Sequence, residues 1–106
     1  MSINEEINAL ADRYGYDSQS RQCIEEMAEL TQAINKFWRN NLKCGQETIK
    51  EETLSDANFY NLVEEIADVE IMLQQMIHLL DCEYEVKRYM RRKVDRQQER
   101  IKQMSL

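Results

Sequence analysis

The strongest pattern in the sequence is a run of apolar residues that recur by alternating steps of four and three. The run consists of Leu62, Ile66, Val69, Leu73, Met76 and Leu80. Such spacing is typical of a helix that packs along its length against other helices. The 106-residue chain has no proline and only two glycines, a composition that favours long helices and argues against a strand-rich fold with many turns. We therefore expect one all-α domain over residues 1–106, a four- to five-helix bundle.

Local signals divide the chain into four predicted helices. Ser2 and Glu5 form a capping-box pattern at the first, and Gly15 ends it after Tyr14. The second helix is predicted to run from Asp17 or Ser18 to about Lys43. The third is predicted to begin after Ser55 or Asp56. The fourth is predicted to begin after Asp81-Cys82, with Asp81 as its cap. The polar connection Cys44–Ser55 has room for one helical turn at residues 47–52.

The second and fourth helices also show apolar stripes that we expect to be buried. In the second helix the stripe is Ile24, Met27, Thr31, Ile34 and Trp38, widened by Leu30, Ala33 and Phe37. In the fourth it is Val86, Met90, Val94, Ile101 and Met104. These stripes repeat with the helical period. So many apolar residues on seams predict self-association, and the long third helix favours a homodimer.

Charge is distributed unevenly along the chain, and this restricts the partners it can have. The net charge is −6, but residues 84–106 carry eight basic and three acidic residues, a net of +5, which leaves −11 on the rest. The negative charge of this larger part of the chain disfavours binding to nucleic acid, which is itself negatively charged. The chain also shows no signal-peptide pattern and no apolar run that spans a membrane, so we expect a soluble, cytoplasmic protein.

Two acidic pairs are the candidate site. Glu26 and Glu29 are three residues apart in the second helix, and Glu65 and Asp68 have the same spacing in the third. Residues three apart lie on one side of a helix, and each pair lies beside an apolar stripe, so packing of the two helices brings both pairs to one cleft. Four carboxylates held close together repel one another, so they require a cation to balance their charge. Mg²⁺ prefers hard oxygen ligands of this kind, and Mn²⁺ can substitute for it. The alternative is that both pairs belong to solvated helix faces.

A second group of candidate residues has the chemistry to bind a phosphorylated ligand. Lys93, Arg96 and Arg100 form a cationic stripe in the fourth helix, suited to phosphate binding. Gln97 lies within the apolar stripe of that helix, where a buried amide needs partners. Trp38 is a candidate for stacking on a base, although a tryptophan on an apolar stripe is more often part of a core. The alternative is that the basic stripe is a solvated face that pairs with the acidic body.

These motifs, in this order, resemble a known family. Glu25-Glu26-Met27-Ala28-Glu29-Leu30 and Glu64-Glu65-Ile66-Ala67-Asp68-Val69 are similar to the E-E-x-x-E-L and E-x-x-D-V signatures of the MazG-like nucleotide pyrophosphohydrolases. Residues 93–101 resemble the K-x-x-[KR]-[NQ]-x-x-R segment that follows them. The family also includes dimeric dUTPases and dCTP pyrophosphatases. Two features depart from its pattern: a 35-residue gap between Glu29 and Glu65, and glutamine at position 97, where many relatives have asparagine.

The resemblance implies a fold and a reaction. It implies an oligomeric MazG-like helical architecture and Mg²⁺-dependent hydrolysis of a nucleoside triphosphate to the monophosphate and pyrophosphate. The acidic residues Glu26, Glu29, Glu65 and Asp68 would hold the metal, and Lys93, Arg96, Gln97, Arg100 and Trp38 would bind the substrate. The base and the sugar remain open. The competing hypotheses are a helical interaction module without catalysis and a nucleotide sensor without turnover.

Overall fold

The computed structural model describes residues 1–42 and 56–105 and confirms the all-helical prediction. Its helices are α1 (Ile3–Tyr14), α2 (Tyr16–Asn41), α3 (Ala57–Leu80) and α4 (Glu83–Met104), and no strand occurs in these two ranges. No helix among these residues has the length and apolar character needed to cross a membrane. The predicted Cys44–Ser55 connection and its turn at 47–52 lie outside the described residues.

The helix ends follow from local residue chemistry. The predicted capping box is present: the Ser2 hydroxyl accepts from the Glu5 N–H, and the Glu5 carboxylate accepts from the Ser2 N–H. Gly15 separates α1 from α2 with a φ of 85°, a conformation that glycine adopts without steric cost. At the start of α3, Asp56 accepts from the Asn58 N–H at 2.7 Å, as an N-cap residue does.

One predicted cap was assigned to the wrong helix. Asp81 was expected to begin α4, but it ends α3 in the left-handed conformation, with a φ of 50°. Cys82 is the residue that precedes α4, and its side chain makes no capping hydrogen bond. Aspartate is one of the few residues other than glycine that occupy this backbone region readily, so Asp81 makes the turn between the two helices without a glycine.

Helices α2 and α3 form an antiparallel hairpin. At one end the Gln19 side-chain amide donates to the Gln75 side-chain oxygen at 2.7 Å. At the other end the rings of Phe37 and Phe59 lie 6.3 Å apart. The start of α2 therefore lies beside the end of α3, and the middles of the two helices, where the acidic pairs occur, lie side by side.

The seam of this hairpin coincides with the predicted stripes only in part. The side chains between the two helices are Gln19, Cys23, Glu26, Leu30, Ala33 and Phe37 of α2 and Leu62, Glu65, Val69, Met72, Met76 and Leu79 of α3, all buried or half-buried. Of the predicted stripes, Ile24, Met27, Ile34, Trp38, Ile66, Leu73 and Leu80 are 41–56 % exposed. Each of these follows a seam residue by one position, which turns it about 100° around its helix. The prediction of burial is wrong for these residues in the single chain. It is confirmed for the other members of the stripes that lie in the seam, which are Leu30, Ala33, Phe37, Leu62, Val69 and Met76.

Polar contacts hold α1 on the hairpin. The Gln75 side-chain amide donates to the Ile7 carbonyl at 3.1 Å, and His78 pairs with Asp12 at 2.8 Å. Ile7 and Ala11 are the buried residues of α1. Gln75 therefore contacts both α1 and α2 from within α3, and it is only 2 % exposed.

Helix α4 extends from the other three with almost no buried surface. Val86 is its one half-buried side chain, and every other residue of α4 is exposed. The expected burial of Met90, Val94, Ile101 and Met104 is therefore wrong for the single chain, as is the expected burial of Gln97. An amphipathic helix without a partner along its apolar stripe is not stabilised by tertiary packing.

The buried glutamine pair gives a test of the fold. Replacing Gln75 with leucine leaves the buried Gln19 amide without its partner, which should lower the free energy of unfolding by about 1–3 kcal/mol. Gln32→Leu, at an exposed position of α2, should change it by less than about 0.5 kcal/mol. Urea unfolding at one fixed protein concentration measures both. Equal stability of Gln75→Leu and the unaltered chain would contradict the buried pair.

Candidate metal centre

The two predicted acidic pairs meet across the hairpin seam. Glu26 and Glu65 occupy seam positions and are half-buried. Glu29 and Asp68 each precede a seam residue by one position, so both lie along the same edge of the hairpin. A seam position normally holds an apolar side chain in a helical bundle. Carboxylates at two facing seam positions are thus an exception that packing alone does not explain.

Three of the four carboxylates are close enough to share one ion. One oxygen each from Glu26, Glu29 and Glu65 lie within 4.8 Å of one another. The fourth acid, Asp68, interacts electrostatically with Glu26. The structure therefore groups Glu26, Glu29 and Glu65, and Asp68 lies outside that group but close enough to interact with Glu26. The role of all four as metal ligands remains a prediction.

The crowding of negative charge alters the acidity of the cluster. The Glu26 carboxylate, followed by partial burial and the Glu65 carboxylate, raises the pKa of Glu29 above its usual value. Burial raises the pKa of Glu65 and of Asp68, and neighbouring carboxylates raise both further. Because each pKa is higher in the folded chain than in the unfolded one, the ionised cluster destabilises the fold increasingly as the pH rises through the raised values.

Two oxygens of the cluster are buried without a partner. Oε2 of Glu26 and Oε2 of Glu65 are shielded from solvent and accept no hydrogen bond from any described residue. The other oxygen of Glu26 accepts from the Gln22 side-chain amide at 2.8 Å. A buried carboxylate oxygen without a partner is costly, and a divalent cation between these residues would remove that cost.

The donor set fits a hard divalent cation. All the converging ligand atoms are carboxylate oxygens, which Mg²⁺ and Mn²⁺ prefer, and no described histidine or cysteine joins them. The partly exposed Glu29 leaves one side of the site open to water and to a ligand. Sequence reasoning missed Gln22, which orients Glu26; its four-residue spacing from Glu26 is the signal that would have identified it.

The predicted substrate-binding residues do not join this cluster within one chain. Lys93, Arg96, Gln97 and Arg100 lie on the exposed part of α4, and no ion pair within residues 1–42 and 56–105 connects α4 to the cluster. Trp38 is 51 % exposed and lies nine residues, about 13 Å of helix, beyond Glu29. Their roles in substrate binding therefore stay predictions.

A groove elsewhere on the molecule has a different character. Its volume is about 640 Å³, and it lies between α1, α3 and α4, with Leu73, Ile77, Val86 and Met90 among its lining residues. It contains none of the four acids of the cluster. The lining mixes these apolar side chains with polar and charged ones, such as His78. The clustered carboxylates are the stronger candidate for chemistry because two of their oxygens are buried without a partner.

Comparison with known proteins gives no relative of this chain. No protein-family model matches it, and no curated protein or solved structure matches it.

Replacing Glu65 with glutamine should separate stability from metal binding. Without metal, the variant should unfold at a higher temperature than the unaltered chain, because one charge of a repelling, partly buried group is removed. Mg²⁺ at 100 times its Kd should stabilise the unaltered chain by about 2.7 kcal/mol and the variant by much less. Thermal unfolding with and without Mg²⁺ measures both effects.

Glu70→Gln is the matched control, because Glu70 is an exposed glutamate on the same helix and lies outside the cluster. It should respond to Mg²⁺ as the unaltered chain does. Equal Mg²⁺ stabilisation of the Glu65 and Glu70 variants would show that the cluster is not the metal site.

Proposed function

We propose that this protein is a Mg²⁺-dependent nucleoside triphosphate pyrophosphohydrolase of MazG-like architecture. The observation that carries the proposal is the convergence of Glu26, Glu29 and Glu65 within 4.8 Å across the seam of two core helices. The acidic and basic motifs resemble those of the MazG-like family in the same order, and the proposed reaction is taken from this resemblance. The substrate is a nucleoside triphosphate, a dNTP or an aberrant NTP.

The acidic cluster binds the metal in this proposal. Glu26 and Glu65 would hold the ion from the two facing helices, and Glu29 and Asp68 would supply further carboxylate ligands. Gln22 fixes the orientation of Glu26 through its hydrogen bond. When bound, Mg²⁺ neutralises phosphate charge and lowers the pKa of a coordinated water.

The reaction is hydrolysis at the α-phosphorus. A water oxygen forms a bond to that phosphorus, and the bond from it to the oxygen that bridges the α- and β-phosphates breaks. Pyrophosphate leaves with that bridging oxygen, and the other product is the nucleoside monophosphate. The proton lost by the water passes to solvent or to a nearby carboxylate, for which Glu25, adjacent to Glu26, is a candidate.

The basic stripe of α4 binds the phosphates in this proposal. Lys93, Arg96 and Arg100 supply positive charge, and arginine forms paired hydrogen bonds to phosphate oxygens. Because α4 is exposed along these residues, we propose that assembly into a homodimer or homotetramer brings α4 of one copy to the acidic cluster of another. Gln97 then lies between subunits, where its amide finds partners. The proposed location is the cytoplasm.

Pyrophosphate release from a panel of canonical and modified NTPs and dNTPs tests the reaction. With Mg²⁺, at least one substrate should give pyrophosphate and the monophosphate in equal amounts. Asp68→Ala should lower kcat/KM at least about 100-fold, since it removes a direct metal ligand and even indirect ligand contacts contribute 10- to 100-fold. Glu70→Ala, two residues further along the same helix, should retain activity.

The outcomes separate the competing functions. Tight nucleotide binding without turnover of any substrate would indicate a nucleotide sensor and refute the enzyme. Absence of both Mg²⁺-dependent stabilisation and nucleotide binding would favour a helical interaction module. Full activity of Asp68→Ala would show that the catalytic centre lies elsewhere.

A further inference from the structure

The buried hydrogen bond between Gln19 and Gln75 is an exception in an apolar environment. Apart from Glu26 and Glu65, the other described side chains of the α2–α3 seam are apolar. The Gln19 amide donates to the Gln75 side-chain oxygen, and the Gln75 amide donates to the Ile7 carbonyl of α1. Two apolar side chains would fill this space without the cost of burying two amides, so packing alone does not account for the pair.

The positions of the two glutamines match those of the acidic residues. Glu26 lies seven residues after Gln19 in α2, and Asp68 lies seven residues before Gln75 in α3. Seven residues are two turns, about 10.5 Å along the helix axis. Because α2 and α3 run antiparallel, the contact between the glutamines places Glu26 level with Asp68, and these two carboxylates do interact.

The same register brings the other two acids level with each other. Glu29 lies ten residues after Gln19, and Glu65 lies ten residues before Gln75. One carboxylate oxygen of Glu29 and one of Glu65 lie within 4.8 Å of each other, as this alignment requires. A single hydrogen-bonded contact therefore accounts for the alignment of both acidic pairs.

The apolar part of the seam does not fix this alignment. Hydrophobic contacts are non-directional, and apolar side chains that recur every three or four residues can meet again when one helix slides past the other by one turn, about 5.4 Å. A buried polar residue is one way in which helical assemblies specify their register. Such a residue opposes sliding because a slip would leave buried amides without hydrogen-bond partners.

Repulsion within the acidic cluster makes a contact of this kind necessary. The carboxylates of Glu26, Glu29 and Glu65 repel one another without a cation, and sliding of α3 along α2 would separate them. A slip of one turn would displace the oxygens by about 5 Å, whereas metal coordination requires distances correct to about 0.2 Å. The glutamine pair opposes this movement from outside the cluster.

We propose that Gln19 and Gln75 are positioning residues that fix the register of α2 against α3 and thereby keep the acidic residues aligned before metal binds. This role rests on the proposed function, since the alignment of the carboxylates serves metal binding. The glutamines lie two turns from Glu26 and Asp68, so they act through the alignment of the helices. Sliding of α3 would break the contacts of Gln75 with both α1 and α2.

The two phenylalanines of the chain report the register without metal. Phe37 and Phe59 are the only phenylalanines in the sequence, and their rings lie 6.3 Å apart at the other end of the hairpin. NMR spectra of the metal-free chain with labelled phenylalanine should show one set of ring signals and a nuclear Overhauser effect between the rings. Absence of this contact would overturn the proposal, because the register would then not be set before metal binds.

Replacing both glutamines with leucine separates register from stability. Gln19→Leu combined with Gln75→Leu should keep the free energy of unfolding close to that of the unaltered chain, because both partners of the hydrogen bond become apolar side chains of similar size. The contact between the phenylalanine rings should nevertheless weaken, or several sets of ring signals should appear. The Kd for Mn²⁺, measured from the paramagnetic resonance signal of free Mn²⁺, should rise at least about 10-fold.

Gln74→Leu is the matched control, because it makes the same change at the neighbouring position of α3. The Gln74 amide donates to the Asn4 carbonyl and to the Asn8 side chain, both in α1. Its replacement should therefore change neither the contact between the phenylalanine rings nor the affinity for Mn²⁺.

The outcomes distinguish the register from the metal site. Unchanged phenylalanine spectra or unchanged Mn²⁺ affinity in the double leucine variant would overturn the proposal. If the unaltered chain does not bind Mn²⁺, the proposed function is refuted, and the phenylalanine spectra still decide whether the glutamines set the register. If circular dichroism shows that the double leucine variant does not fold, Gln19→Met combined with Gln75→Met replaces it, because methionine adapts to irregular space. Loss of folding in both variants would show that the pair is needed for folding itself, which also contradicts the proposal.

Discussion

The electrostatic repulsion among carboxylates at the α2–α3 seam is the constraint on which the proposed function depends. Glu26 and Glu65 occupy positions where a bundle places apolar residues, and each has a buried oxygen without a hydrogen-bond partner. Burial and neighbouring carboxylates raise the pKa of Glu65 and Asp68. Such an arrangement destabilises the metal-free fold. It is expected at a functional site, where residues needed for chemistry occupy positions that packing alone would give to apolar side chains. A hard divalent cation would balance the negative charge and give both of these oxygens a partner.

The two sides of the hairpin have different roles in this account. The acidic residues Glu29 and Asp68 precede the seam by one position, whereas exposed apolar residues such as Ile66 and Leu73 follow it. A difference of one residue in register therefore separates the acidic edge of the hairpin from its exposed apolar side chains.

Sequence reasoning predicted the helices and the meeting of the acidic pairs because both depend on local chemistry and helical spacing. The Ser2–Glu5 capping box and the break at Gly15 are examples, and so is the three-residue spacing of Glu65 and Asp68. It placed Ile66 and Leu73 in the core of the chain because hydrophobicity alone does not show which of two neighbouring apolar positions faces the other helix. Asp81 was assigned to the wrong helix because aspartate suits both a helix start and a left-handed helix end.

The presence of a cation between the two acidic pairs is the central claim, and anomalous diffraction from crystals containing Mn²⁺ tests it most directly. The account predicts a strong anomalous peak between the carboxylates of Glu26, Glu29 and Glu65, with metal–oxygen distances of about 2.0–2.3 Å. Binding of Mn²⁺ only at other sites, with the carboxylates of Glu26 and Glu65 left unligated, would contradict it.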